Sequence, residues 1–381
     1  MKTSPGILTY ILITLYFLAL PLGLSAQAVN GQTGRQKPSL KLTFAGDIMA
    51  HSINYEMDRQ DSIYQGVAHF LRSDDLSFAN LEYPMHPGES QASFPSFNVH
   101  PSYTEAAIRG GFDVFSLANN HSWDMELEGL EATLASMEVL SRELPYRIWY
   151  SGIKPRDKDW EVTEITIKGW KIGFIALTQY SNLRADPERL WMADYRNKTQ
   201  TEELLQWVAH HSPSYDLFIL SYHGGVEYSR QTSREKRDFF LKLIEAGVDI
   251  VYGHHPHVLQ PVELIHTSRG DKVILSSCGN FISGQNRIID PERPEEEWSY
   301  TGDSALFRLD VHMIEGSLTM GILKPLLLGN LITADRDVVV LPLEKIATDP
   351  LYGAWRTFYQ DRLEIMTAWL NEDFLVEEFR N

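Results

Sequence analysis

The sequence predicts an α/β fold, and three observations predict it. Short apolar, β-prone runs recur along the chain and alternate with amphipathic stretches of helical period. Several of these runs stop at Gly followed by Asp, Asn or His, and strand ends of this kind are where open α/β sheets bind ligands. The 381 residues are 43% hydrophobic and 22% charged, which supplies a sizeable core for one large domain or two smaller ones. The formal net charge of −17 argues against binding nucleic acid or anionic membranes by bulk electrostatics. An anionic substrate stays compatible, because a local metal site dominates the charge that a ligand meets.

Residues 1–28 read as a targeting segment. Lys2 gives a short positive start, Ile7 to Leu20 is almost uninterrupted apolar sequence, and Ala26-Gln27-Ala28 fits a small-x-small cleavage pattern. Two readings stand: a secretory signal cleaved after Ala26 or Ala28, or an uncleaved N-terminal anchor, since the run approaches membrane-spanning length. Either implies an exported protein of the periplasm or cell envelope. Residues 29–38 are polar and read as a linker. Cys278 is the only cysteine, so no internal disulfide forms, and its apolar neighbours predict a buried, inert thiol.

Leu40 to Ala45 is the first strand and delivers Gly46-Asp47. Val67 to Leu71 is helical. Leu76 to Leu81 is a strand that enters Glu82 and is stopped by Pro84. After a short helix over Thr104 to Arg109, Asp113 to Ala118 is a strand ending in Asn119-Asn120-His121, with Asp124 three residues on. Leu127, Leu130, Leu134 and Met137 mark an amphipathic helix over Leu127 to Leu140. Arg147 to Tyr150 is a candidate strand. Val162 to Ile167 and Trp170 to Leu177 form a hairpin turning at Lys168-Gly169. A helix over Thr201 to His210 precedes the strand Asp216 to Ser221, which ends in Tyr222-His223-Gly224-Gly225 and Glu227.

Arg234 to Ala246 is a helix closed by Gly247. Val248 to Tyr252 is a buried strand, and Gly253 is expected to turn the chain. His254, His255, Pro256 and His257 follow. If this segment is extended, His255 and His257 leave it on one side. Pro261 to His266 and Lys272 to Ser277 are two further strands, and the second enters Gly279-Asn280-Phe281. Asp290 to Glu297 reads as an exposed loop. Ser304 to Asp310 and Ser317 to Leu323 form an antiparallel pair. From Pro350 on, apolar residues including Leu351, Trp355 and Phe358 predict one or two helices packing on the body.

Five strand ends thus deliver Asp47, Glu82, Asn120-His121, His223 and His255 with His257. Each has a plain alternative: Asp47 as a turn or cap residue, Asn120 as a helix cap, the His cluster as a solvated loop. Together they place hard oxygen and borderline nitrogen donors on one rim, which suits two divalent ions such as Mn, Fe or Zn. Two ions about 3.5–4 Å apart bind both the attacking and a phosphoryl oxygen. Asp47 or Glu82 is suited to bridge them. His121, beside a ligating amide, is suited to protonate a leaving alkoxide, and Asp124 is grouped with it as catalytic.

The motifs Gly46-Asp47-Ile48-Met49, Asn80-Leu81-Glu82-x-Pro84, Ala118-Asn119-Asn120-His121-x-x-Asp124, His223-Gly224-Gly225-x-Glu227-Tyr228, Gly253-His254-His255-Pro256-His257 and Gly279-Asn280-Phe281 resemble, in order, the CapA family. These are bacterial capsule-synthesis proteins of the poly-gamma-glutamate type, related to the calcineurin-like metallophosphoesterases. The resemblance covers roughly Leu40 to Lys324. It implies a four-layer αββα sandwich of the metallophosphoesterase type over residues 39–325, followed by a C-terminal helical extension over 326–381. By resemblance His255 and His257 match the Gly-His-x-His pair of phosphoesterases. Asn119, Glu227, His254 and Asn280 are then left as candidate substrate contacts. Two departures matter: Met49 stands where phosphoesterases carry a second ligand of an Asp-x-His motif, and His223-Gly224-Gly225 replaces the family's usual His-Trp-Gly.

The function expected is an exported, metal-dependent hydrolase in capsule or poly-gamma-glutamate biosynthesis, acting on a phosphoester or an anionic polymer alongside membrane capsule-synthesis proteins. The alternative is a non-catalytic, polymer- or partner-binding component of the same assembly. A nearly complete ligand set favours chemistry, and an open site argues against a purely structural metal, which is usually closed in by four ligands.

Overall fold

The computed structural model describes residues 37–285, 289–293, 296–348, 354–372 and 374–378. The targeting segment, most of the linker, part of the 290–297 loop and Leu351 lie outside the described residues. Residues 36–381 form one compact unit. In chain order the elements are β1 (Leu40–Met49), α1 (Ser52–Tyr55), α2 (Ala68–Leu71), β2 (Leu76–Glu82), α3 (Ser102–Gly110), β3 (Val114–Ser116), α4 (Glu126–Glu143), β4 (Trp149–Ser151), β5 (Thr163–Ile167), β6 (Trp170–Thr178), α5 (Lys198–His211), β7 (Leu217–His223), α6 (Arg234–Ala246), β8 (Ile250–His254), β9 (Leu259–Thr267), β10 (Gly270–Cys278), β11 (Asn280–Ile282), β12 (Asp303–Ile314), β13 (Ser317–Ile322), β14 (Leu326–Ile332), β15 (Val338–Pro342), α7 (Leu343–Thr348), α8 (Ala354–Glu372) and β16 (Phe374–Glu378).

The strands make two wings. The first runs β4-β3-β2-β1-β12-β13 and the second β10-β8-β7-β6-β5. A single pairing, Gly270 with Leu318, links them. Within each wing the strands that carry candidate ligands are parallel, so their carboxyl ends share one rim.

Period-2 alternation explains the layering. Leu217, Ile219, Ile250, Tyr252, Val273 and Leu275 enter the main core. Their neighbours Phe218, Leu220, Val251 and Ile274 point the other way and pack with Leu204 and Val208 of α5 and Phe239, Phe240 and Leu243 of α6. These strands are buried on both faces, which is why they read as continuous apolar runs. The inner faces meet through aromatic rings. Phe44 on β1 lies edge-on to Tyr252 on β8 at 5.0 Å, and Phe78 on β2 is edge-on to Phe174 on β6 at 5.7 Å. Such pairs contribute roughly 0.5–1.5 kcal/mol each beyond their buried area. The Tyr252 hydroxyl donates across the seam to the Phe78 carbonyl at 3.2 Å. With α3 and α4 packed in the main core beside the first wing, this is the αββα sandwich that the motifs implied.

Of the one or two helices expected from Pro350 on, the described residues hold one, α8; α7 precedes it, and three strands accompany them. β14 pairs with β12, β15 with β14, and β16 lies parallel to β9. Through these pairings the described residues beyond 325 extend the sandwich rather than only leaning on it.

Candidate metal centre

The first wing supplies oxygen donors. The register aligns Asp47 with Asn80 and Met49 with Glu82, which brings both carboxylates to the rim. Asp47 can sit there because β1 presses against the β10–β11 junction: its backbone N–H donates to the Gly279 carbonyl at 2.9 Å. A Cβ on Gly46 would stand 1.9 Å from that same oxygen, so no side chain is accommodated before the aspartate. Asn80 Nδ2 donates to Asp47 Oδ1 at 2.8 Å and lies 3.2 Å from His223 Nδ1, tying the two wings together.

The second wing supplies nitrogen. β7 ends on His223, in register with His254 at the end of β8. The sequence expectation that Gly253 turns the chain is corrected here. Gly253 lies within β8, and a Cβ there would come 2.2 Å from the Ser276 carbonyl, so its task is close strand approach. The turn falls on the histidines themselves: His255 and His257 adopt φ of +95° and +58°. The segment is therefore not extended, and the two rings lie 5.9 Å apart, tilted at 53°. Left-handed backbone at non-glycine residues stores strain and clusters at functional sites. Tyr228, which faces the His257 ring at 6.1 Å, is also left-handed at +61°.

Three donor groups converge, each within 4.8 Å: Asp47, Glu82 and His257; Glu82, His223 and His255; Glu227, His255 and His257. Asn120 joins the second, its Oδ1 2.7 Å from His223 Nε2. All six residues expected to bind metal are thus gathered on one rim, with Glu82 common to two groups. Glu82 is fully buried and neither carboxylate oxygen has a hydrogen-bond partner. Its nearest nitrogens, His223 Nε2 at 3.5 Å and His257 Nε2 at 3.8 Å from Oε1, make no hydrogen bond to it, and a buried carboxylate left without hydrogen bonds costs several kcal/mol. Burial pushes its pKa well above the ordinary range, and the charges of Asp47, Glu227 and Asp124 push the same way. Asp47 moves oppositely. Burial alone would raise it, but the His254 and His257 rings outweigh burial and hold it well below. His255 is lowered to about 3, by burial first and then by His257 and Lys236. Neutral imidazoles around a carboxylate with unfilled lone pairs are the donor set a divalent first-row ion takes.

His121 and Asp124 stand beside this cluster. His121 Nδ1 is 2.6 Å from Asp124 Oδ2, which also accepts from the Phe97 backbone at 2.8 Å, and Phe97 lies edge-on to the imidazole at 4.7 Å. The four candidate substrate contacts divide. Asn119 gives its amide to Leu81 O at 2.7 Å and accepts from His121 N at 3.1 Å. Asn280 Oδ1 accepts from His257 Nδ1 at 3.0 Å, and its Nδ2 donates to Gln285 Oε1 and Thr301 O. Both are committed within the protein and position other site residues. His254 is buried, 3.0 Å from Asp47 Oδ1, with no well-directed hydrogen bond on either ring nitrogen. Glu227 is exposed at the rim.

Sequence reasoning assigned no role to Asn80, Tyr180 or Asn182. The Tyr180 hydroxyl is 3.0 Å from His255 Nε2, and burial raises its pKa to about 12. Asn182 reaches His121 Nε2 at 3.4 Å, and its backbone N–H donates to Asn120 O at 2.9 Å. Both directly follow β6, so the rule that found the other residues, polar groups after a strand end, would have reached them. Met49 is buried. Cys278 is buried and unpaired in a disulfide, as expected.

Comparisons with known proteins bear on this site. The family described as bacterial capsule synthesis protein PGA_cap matches residues 41–285. The capsule biosynthesis protein CapA of Bacillus anthracis is 24% identical over 371 residues, covering 93% of this chain and 83% of that protein. The PGA biosynthesis protein CapA of Bacillus subtilis is 26% identical over 286 residues, covering 70% and 66%. Among solved structures, the calcineurin-like phosphoesterase YfkN of Bacillus subtilis aligns at TM-score 0.43 and 13% identity, covering 88% of this chain and 99% of that one.

Proposed function

The chain belongs to the bacterial capsule synthesis protein family PGA_cap, and from that premise we propose that it is an exported, metal-dependent hydrolase in capsule or poly-gamma-glutamate biosynthesis, acting on a phosphoester of the cell envelope. The observation that carries the reading is Glu82: a buried carboxylate with two unpartnered oxygens, central to a set of Asp, Asn and His donors. One divalent ion would be held by Asp47, Glu82 and His257, a second by Glu82, Asn120, His223 and His255. When bound, the pair supplies Lewis acidity toward a phosphoryl oxygen and makes water acidic enough to attack at neutral pH.

The chain's own residues do the rest. Asp124 fixes Nδ1 of His121 and leaves Nε2 to carry the exchangeable proton. As water oxygen bonds to phosphorus and the bond to the alcohol breaks, His121 gives that proton to the leaving oxygen. Asn182 Nδ2 packs against the imidazole, 3.5 Å from Nδ1 and 3.4 Å from Nε2. Tyr180 and Asn280 orient His255 and His257, and Asn80 aims Asp47 by its hydrogen bond to Oδ1. The excess of acidic residues over the whole chain argues against nucleic acid as the polymer bound.

The test is His121→Ala, assayed on phosphomonoesters and phosphodiesters beside elemental analysis. Turnover should fall by about 10²–10⁴-fold with metal content unchanged. Full activity in that variant would overturn the role assigned to His121.

A further inference from the structure

Exposed apolar side chains stand on the segments that carry the site. Eight large hydrophobic residues are exposed among the described residues, and four of them lie on these segments: Phe94 at 69% exposure, Val226 at 59%, Leu183 at 42% and Trp298 at 40%. In sequence they follow the rim ends of four different strands: β2, β7, β6 and β11 in turn. Each is one residue or one ring from a site residue. Phe94 meets Phe97 at 6.5 Å, and Phe97 packs on His121. Leu183 follows Asn182, and Val226 precedes Glu227. Trp298 lies 4.4 Å from Tyr228, which faces His257.

Single exposed apolar residues need no explanation, but four on the segments that carry one site point to a surface used in binding. Water is the poorest partner for these groups, and loops at a strand rim have polar residues available in every sequence. A phosphoester with a polar alcohol would leave all four side chains wet. An alkyl or prenyl chain extending from the phosphorus outward would cover them.

We propose that the substrate is amphiphilic: a phosphoester whose phosphoryl group enters the Asp47–Glu82–His cluster and whose alcohol carries a long aliphatic chain that lies across Phe94, Leu183 and Val226. The inference rests on the phosphoesterase reading of the same site. It adds the chemical class of the leaving alcohol, a membrane-derived lipid alcohol rather than a sugar or amino acid.

The experiment compares methylphosphonate, butylphosphonate and octylphosphonate, all below their micelle concentrations, binding to the manganese-loaded full chain by calorimetry. Octylphosphonate should bind at least about tenfold more tightly than methylphosphonate, since each methylene removed from water contributes up to a few-fold. The triple variant Phe94→Ser, Leu183→Ser, Val226→Ser should lose that gain while keeping methylphosphonate affinity and metal content. Equal affinity for the three phosphonates would overturn this inference and leave the hydrolase reading standing, as would a chain-length gain that survives in the triple variant. Absence of any metal-dependent phosphonate binding would overturn both. A chain-length gain in a protein that turns over no alkyl phosphodiester would overturn the hydrolase, and with it the alcohol as a leaving group.

Discussion

The two wings of the sandwich contribute differently to one site. The first offers oxygen, from Asp47, Glu82 and Asn120, on or just beyond strands in ordinary conformation. The second offers nitrogen, from His223 on a regular strand and from His255 and His257 in left-handed backbone beyond β8. The oxygen side is held by hydrogen bonds along the sheet register. The nitrogen side is held by a strained loop and by Tyr180 and Asn280 behind its rings. The difference teaches that one carboxylate, Glu82, joins two halves built on separate principles.

The sharpest way to break the comparison is at that joint. Glu82→Ala should remove both ions and all metal-dependent turnover, whereas loss of a ligand private to one wing should spare the other ion. Elemental analysis of the purified variant decides this, and retention of even one stoichiometric ion would place the bridge elsewhere.

A smaller effect is expected behind the nitrogen side. Asn280→Ala removes the group that orients His257 and should weaken metal affinity about 10–100-fold, read by competition with a chelator of known affinity. Unchanged affinity would mean the strained loop alone positions the ring. Asn280 is itself held by the Thr301 carbonyl, close to Asp303, whose carboxylate pairs with buried Arg362 of α8. The C-terminal helix thus reaches within a few contacts of the site.

The smallest effect concerns protons. His255 is lowered from its ordinary 6.5 to about 3 in the folded protein. Below 6.5 the unfolded chain binds a proton that the folded chain refuses. The stability this residue contributes is therefore present above 6.5 and is lost as pH falls toward 3. Thermal melts of the metal-free protein should show a decline across that window, and His255→Gln should make it shallower. An identical slope in the variant would remove His255 as the source.

Most of the fold was legible because buried parallel strands are long apolar runs and the amphipathic helices between them keep their period. Asp47, Glu82, Asn120 and His223 were legible for the same reason: each stands where such a run stops. Three things were not. Gly253 was assigned the turn, because a glycine's need for space against Ser276 and its freedom to turn leave the same letter in the sequence. The pairing of β14 with β12 depends on contacts across about twenty residues, and nothing local specifies it. Asn119 and Asn280 were expected to contact substrate, yet their partners are the Leu81 and Thr301 carbonyls and the His257 ring, which only the folded chain brings near.

The measurement that tests the central claim most directly is the metal content of the full chain, of Asp47→Ala and of His223→Ala, after reconstitution with manganese or zinc. Two ions that share Glu82, one resting also on Asp47 and the other also on His223, predict about two ions per chain in the parent and about one in each variant, with phosphodiester turnover lost in both. A parent that holds no more metal than Asp47→Ala and turns over no phosphoester after reconstitution would contradict the account.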